Sequence, residues 1–87
     1  MYEVLISHEA EKYYKRLDKN TKQRINQGIS HLVEEPLSGF HIKKLWGELK
    51  GKYRYAIGDL RIVYEVDIPN KIVQVKAIRS RGDVYKK

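Results

Sequence analysis

Lys52, Arg54 and Arg61 fall within a short stretch of the chain, and Arg79, Arg81 and Tyr85 follow near its end. Guanidinium forks match the geometry of phosphate oxygens, and a lysine or a tyrosine can carry a proton. Alternation brings the first three together. Tyr53, Tyr55 and Ile57 alternate with Lys52, Arg54 and Ala56, and Ile62, Tyr64, Val66 and Ile68 alternate with Arg61, Val63, Glu65 and Asp67. Gly58-Asp59 between the two runs is a two-residue hairpin signal. That turn pairs 57 with 60, therefore 56 with 61 and 54 with 63. Directly opposed residues point to one face, so Lys52, Arg54 and Arg61 share the face away from the apolar set. Arg79 closes a third run. Like charges gathered this closely are unfavourable without an anion, so the expectation is an open, cationic, concave surface that receives a phosphate. The competing reading is a solvated polar face with scattered ion pairs.

The elements that must position these residues are legible as changes of period. Residues 2–6 read as a short β-branched strand. Ser7 can cap a helix over 8–18, with Glu9 and Glu11 opposing the positive end of its dipole and Ala10, Tyr13 or Tyr14, and Leu17 at helical spacing. Asp18-Lys19-Asn20 breaks that helix, and Asn20 or Thr21 can cap the next. There Ile25, Ile29, Leu32 and Val33 form one apolar stripe, which Pro36 ends. Residues 72–78 form the third alternating run, after a turn at Pro69-Asn70. The fold class is therefore α+β, a single domain over 1–87. An N-terminal strand and a two-helix antiparallel hairpin pack on one face of an antiparallel sheet with a C-terminal three-stranded meander. Trp46, Tyr53, Tyr55 and Tyr64 are spaced like core residues and are expected there rather than stacked on bases.

Composition narrows the partner. The 87 residues carry 18 Lys+Arg against 11 Asp+Glu, a formal charge of +7. Residues 1–38 balance to zero, so the whole excess lies in 39–87, the expected footprint of a polyanion such as nucleic acid. No cysteine is present, which excludes a disulfide scaffold and a zinc ribbon. The apolar runs are too short to span a bilayer, and no secretory signal is visible, so a cytoplasmic location without membrane contact is expected. His8, His31 and His41 are scattered without metal-ligand spacing, so neither a metal nor another cofactor is expected. His8 and His31 read as helix surface or packing residues. His41 lies in a loop beside the basic stretch, where a backbone contact to RNA is conceivable.

Taken together, Lys44-Leu45-Trp46-Gly47-Glu48-Leu49-Lys50-Gly51-Lys52-Tyr53-Arg54, Gly58-Asp59-Leu60-Arg61-Ile62-Val63-Tyr64-Glu65-Val66 and Arg79-Ser80-Arg81-Gly82-Asp83-Val84-Tyr85 resemble the RelE toxins of the RelE/ParE superfamily. The resemblance implies an mRNA endoribonuclease acting in the A site of the ribosomal 30S subunit. It also implies a RelB-type antitoxin partner, in a heterodimer or heterotetramer. Carried over position by position, the catalytic residues are Lys52, Arg54, Arg61, Arg79 and Tyr85. Arg54 stands where RelE itself has lysine, and an arginine there cannot readily act as a base. Lys43, Lys44, Lys50 and Arg81 are assigned to RNA binding. Cleavage by the RNA's own 2′-hydroxyl needs a base, stabilisation of the phosphorane and an acid for the leaving 5′-oxygen. Tyr85 or Lys52 would accept the proton while Arg61 and Arg79 stabilise the phosphorane. Two rivals stand beside this reading: a ParE-like toxin directed at gyrase, and a non-catalytic relative that binds nucleic acid or antitoxin.

Overall fold

The computed structural model describes residues 1–47 and 51–81. Its elements run β1 (Glu3–Ile6), α1 (His8–Lys15), α2 (Lys19–Glu34), β2 (Ile42–Lys44), β3 (Tyr53–Ile57), β4 (Leu60–Asp67) and β5 (Ile72–Ser80). The Ser7 hydroxyl accepts from the Ala10 N–H at 3.1 Å and donates to the Lys76 carbonyl at 2.8 Å, capping α1 and tying it to β5. This helix stops at Lys15 rather than at 18. The Arg16 and Leu17 N–H groups turn back to the carbonyls of Tyr13 and Tyr14, tightening the last turn. Asp18 is then already in use as the cap of α2, its carboxylate accepting from the Thr21 N–H at 3.0 Å. Asp18 therefore does the work expected of Asn20 or Thr21, because its oxygen meets the N–H three residues on.

Thr21, through its side chain and its backbone N–H, holds the Asp18 carboxyl below the ordinary carboxylate range. A depressed pKa gives stability that is present above the unfolded value and lost as pH falls through the folded one. Asp18→Asn keeps a capping oxygen but cannot titrate. Thermal melts of both proteins are expected to differ near neutral pH and to converge below about pH 4. A gap in melting temperature that persists unchanged in acid would refute this account.

The five strands form one sheet in the order β1-β5-β4-β3-β2. It is mixed rather than purely antiparallel, because β1 pairs parallel with β5 while every other pair is antiparallel. The helical hairpin carries the chain from one edge of the sheet to the other. The meander then returns it strand by strand until β5 lies beside β1. The edge strand β2 has only three residues, too few for a period to show in sequence, and pairs Ile42, Lys43 and Lys44 with Tyr55, Arg54 and Tyr53.

Both helices cover one face of this sheet. Ala10, Ile25 and Leu32 pack against Tyr55, Ile57, Ile62, Tyr64, Val73, Val75 and Ile78. A bulge keeps β5 in phase with that core. Val63 opposes Ala77 but Tyr64 opposes Val75, so Lys76 is the extra residue. Val73 and Val75 before it and Ile78 after it consequently all face the helices. At Gly28 the helix α2 lies so close to β3 that a Cβ would come within 2.9 Å of Ile57 Cδ1 and 3.0 Å of Tyr55 Cε1. Among the described residues, no helix is long and apolar enough to cross a membrane.

Candidate functional site

The hairpin register is the one that alternation implies, with Ile57 opposite Leu60, Ala56 opposite Arg61 and Arg54 opposite Val63. Its consequence is a set of side-chain rows on the uncovered face of the sheet. Lys43, Arg54, Val63 and Ala77 lie in one row, and Ala56, Arg61 and Arg79 in the next. Two of these cations are held by backbone carbonyls. Arg54 Nη1 donates to the His41 carbonyl at 2.8 Å, and Arg61 Nη1 donates to the carbonyls of Gly58 and Leu60, each at 2.8 Å. The Nε atoms of both are buried with no hydrogen-bond partner among the described residues. Neither guanidinium is paired with a carboxylate among those residues. A guanidinium fixed by neutral oxygens keeps its full charge available to an anion, which is what phosphate recognition requires.

The other two carried-over cations on this sheet differ from expectation. Lys52 Nζ lies 3.0 Å from Glu65 Oε2, and Arg79 is ion-paired with Glu9 at the start of α1. β1 pairs β5 only as far as Val75, so beyond it α1 lies along the strand and an acidic side chain comes within reach. The face is not uniformly cationic either. Leu45, Val63 and Ala77 make a small apolar patch on it, with Leu45 only 5% exposed. The reading as scattered ion pairs therefore holds for Lys52 and Arg79, and the phosphate reading rests on Arg54 and Arg61.

Lys43 and Lys44 are adjacent on a strand and so face opposite sides, Lys43 beside Arg54 and Lys44 beside Tyr53. Arg81 is exposed, and its N–H donates to the Asp59 carbonyl at 2.6 Å, fastening the end of β5 to the hairpin turn. Lys50 and Tyr85 lie outside the described residues. Among the histidines, His31 Nδ1 lies 2.5 Å from the Tyr55 hydroxyl, and His41 contributes the carbonyl that orients Arg54. Burial pushes the hydroxyls of Tyr64 and Tyr55 above the ordinary tyrosine range, so neither is a base near neutral pH. Among the described residues no group of three His, Asp or Glu is placed to hold a metal ion.

Trp46 corrects the expectation of a core position, being 71% exposed. Leu45 takes the inward place, and its N–H donates to the Lys52 carbonyl at 2.9 Å, continuing the β2–β3 ladder. The next side chain then leaves the sheet. Phe40, 98% exposed in the turn before β2, escaped sequence reasoning because nothing periodic surrounds it.

Residues 4–85 match the family described as the ParE toxin of type II toxin–antitoxin system, parDE. The chain belongs to this family. The toxin is also similar in structure to the archaeal RelE–RelB complex from Pyrococcus horikoshii OT3, at 29% identity and a TM-score of 0.80, covering 93% of this chain and 96% of that one. The RelBE2 toxin–antitoxin complex of Mycobacterium tuberculosis gives 23% identity and a TM-score of 0.81, over 92% of this chain and 98% of that one. The intact RelBE complex of E. coli gives 20% and 0.78, over 92% and 96%. At these last identities the likeness shows the fold. No curated protein sequence matches the toxin. It is a type II toxin of the RelE/ParE superfamily with the α+β fold of the RelE structures.

Proposed function

We propose that this toxin, acting as a single domain, is a ribosome-dependent endoribonuclease that cuts mRNA in the A site. The observation that carries the reading is the pair Arg54 and Arg61, fixed by backbone carbonyls on the uncovered sheet face with no carboxylate among the described residues to neutralise them. In this scheme the 2′-oxygen attacks the adjacent phosphorus and the bond to the 5′-oxygen breaks. A 2′,3′-cyclic phosphate and a 5′-hydroxyl remain. Arg54 and Arg61 hold the phosphate, and Arg79 adds charge to the phosphorane once it leaves Glu9. Lys52 and Tyr85 carry the protons, one of them accepting from the 2′-hydroxyl. Lys43, Lys50 and Arg81 contact the RNA backbone, and Lys44 contacts it from the sheet edge. The partner is an antitoxin of the RelB kind, as in the archaeal complex, in a heterodimer or heterotetramer. Such an activity places the toxin in the cytoplasm.

The test is expression with and without the co-encoded antitoxin, followed by mapping of mRNA 3′ ends. Codon-phased cuts that appear only without antitoxin support the reading. The ParE description of the family favours a second one, a toxin directed at gyrase. Growth arrest with intact mRNA and DNA-damage signalling would establish that alternative instead.

The Glu9–Arg79 pair yields a prediction of its own. Both side chains are substantially solvated, so the contact is weak enough for a phosphate to displace. Glu9→Gln removes the competitor without touching the sheet. RNA affinity is expected to rise a few-fold, and the log–log salt dependence to steepen by about one unit, as one more cation meets a phosphate. Filter binding over a salt series reads both quantities. An unchanged slope would mean that Arg79 stays with Glu9 or does not meet RNA.

A further inference from the structure

Arg24 is a cation that neither alternation nor charge balance singles out, since residues 1–38 carry no net charge. It reaches from α2 to the hairpin turn between β3 and β4. Gly58 in that turn has a φ of +54°, and a Cβ on it would come within 2.5 Å of Arg24 Nη2, so the missing side chain leaves the guanidinium its seat. The Gly58 carbonyl also holds Arg61, at 2.8 Å. Two guanidinium groups thus reach one residue. Arg24 has no hydrogen bond or ion pair among the described residues. Asp18 keeps its carboxylate on the Thr21 N–H, and Asp59, next in the turn, is ion-paired with no cation among those residues. Charge concentrated in this way raises the local positive potential and draws an anion.

The turn opens onto a cleft that continues the site. Strand β2 begins at Ile42, opposite Tyr55, so no strand lies beside Ala56 and Ile57 on that edge of β3. The cleft, of about 620 Å³, has Arg24, Gln27 and His31 of α2 on one side and Tyr55, Gly58 and His41 on the other. None of the described residues that line it is acidic. Gly58 and His41 supply carbonyls that fix Arg61 and Arg54, so the cleft begins where the guanidinium groups of the site are anchored. Past His31 and His41 the adjoining groove is lined by Glu34 and Glu35, so the end suited to an anion is the one at Arg24.

We propose that Arg24 binds a backbone phosphate of single-stranded RNA next to the one held by Arg54 and Arg61, the strand passing over the open edge of β3. This deepens the RNA reading of the site and rests on it. A guanidinium suits the role because its planar fork can meet two phosphate oxygens at once. Such a contact carries no base information. It fixes the register and direction of the strand across the sheet edge.

The test is filter binding of a short single-stranded RNA, 2′-O-methylated throughout so that it cannot be cut, to the intact toxin over a salt series. Each phosphate contact with a single strand contributes about 0.7 to the log–log slope, so Arg24→Gln should flatten it by that amount. Affinity should fall about 2- to 5-fold, the worth of one solvated ion pair. Arg24→Lys keeps the charge and should restore the slope. Lys22→Gln removes another cation of α2, one that lies over the Tyr14 ring at 5.6 Å from its centroid, and should leave slope and affinity as in the parent. Circular dichroism checks the fold of each variant. An unchanged slope in folded Arg24→Gln, or no binding of this RNA by the parent, would overturn the proposal. An equal loss in Lys22→Gln would also overturn it, by showing an effect of net charge rather than a site. Weakened antitoxin binding with RNA binding intact would overturn it in favour of a protein contact. Failure of the cleavage reading is separable: mRNA left uncut in cells, with the slope still reduced in Arg24→Gln, would sink the nuclease and leave the phosphate contact standing.

Discussion

Arg61→Ala is expected to lower mRNA cleavage by about 10²-fold or more, in line with the loss of one preorganised donor at a developing oxyanion. The size follows from how Arg61 is held. Its Nη1 is committed to the carbonyls of Gly58 and Leu60, which fixes the plane of the guanidinium before any substrate arrives. The charge and the buried Nε have no partner among the described residues, so no reorganisation is needed when the phosphorane forms. Arg61→Lys should recover little. An ammonium keeps the charge, but it is a point donor without the planar fork that grips both a carbonyl and a phosphate. The measurement is primer extension on a reporter mRNA in a translating extract, with circular dichroism to show that each variant folds. Arg61→Ala cutting at the parent's rate would remove Arg61 from the site and leave the scheme without its main support. Because Arg61 lies in the row next to Arg54, Arg54→Ala should fall in the same direction, and the double variant should lose less than the product of the two.

How far such a site could be read from residue order depends on the range of the interaction involved. The Gly58-Asp59 hairpin is local, so its register, and the common face of Lys52, Arg54 and Arg61, follow from alternation alone. The bulge at Lys76 is not local. It answers to the need for Val75 and Ile78 to meet the same core, and in sequence it is one residue out of phase within a β-branched run. Strand β2 is too short to carry a period, which hid both the ladder bond of Leu45 and the exposure of Trp46 that follows from it. The partner of Arg79 comes from a helix some seventy residues earlier. Only tertiary packing of α1 along β5 brings Glu9 there, and no spacing rule predicts it. Residue types thus announced a cationic face, and the fold pairs Lys52 and Arg79 with carboxylates while leaving Arg54 and Arg61 without one among the described residues.

Tyr64→Ala carries the largest expected effect on stability. Tyr64 sits at the centre of the core with no exposed surface, its ring stacked on Tyr53 at 5.6 Å and its hydroxyl donating to the Pro36 carbonyl at 2.7 Å. That last bond joins the middle of the sheet to the end of α2, where the chain begins its passage to β2. Truncation of a buried aromatic ring costs about 3–5 kcal/mol, and a chain of this size has roughly 4–13 kcal/mol in all. The melting temperature should fall by at least about 12 °C, and a large fraction of the chain should be unfolded at 37 °C. Tyr64→Phe separates the two contributions. It keeps the ring but leaves the Pro36 carbonyl unpaired, for which about 1–3 kcal/mol is expected. Tyr64 faces the helices while Arg61 faces away from them, so the folded fraction of Tyr64→Phe should cleave mRNA at the parent's rate. Tyr64→Ala should regain much of its structure when an antitoxin that binds only the folded state is added. A Tyr64→Ala melt within a few degrees of the parent would show that this ring is not the keystone of the core. A folded but inactive Tyr64→Phe would show that the covered face of the sheet takes part in the chemistry after all.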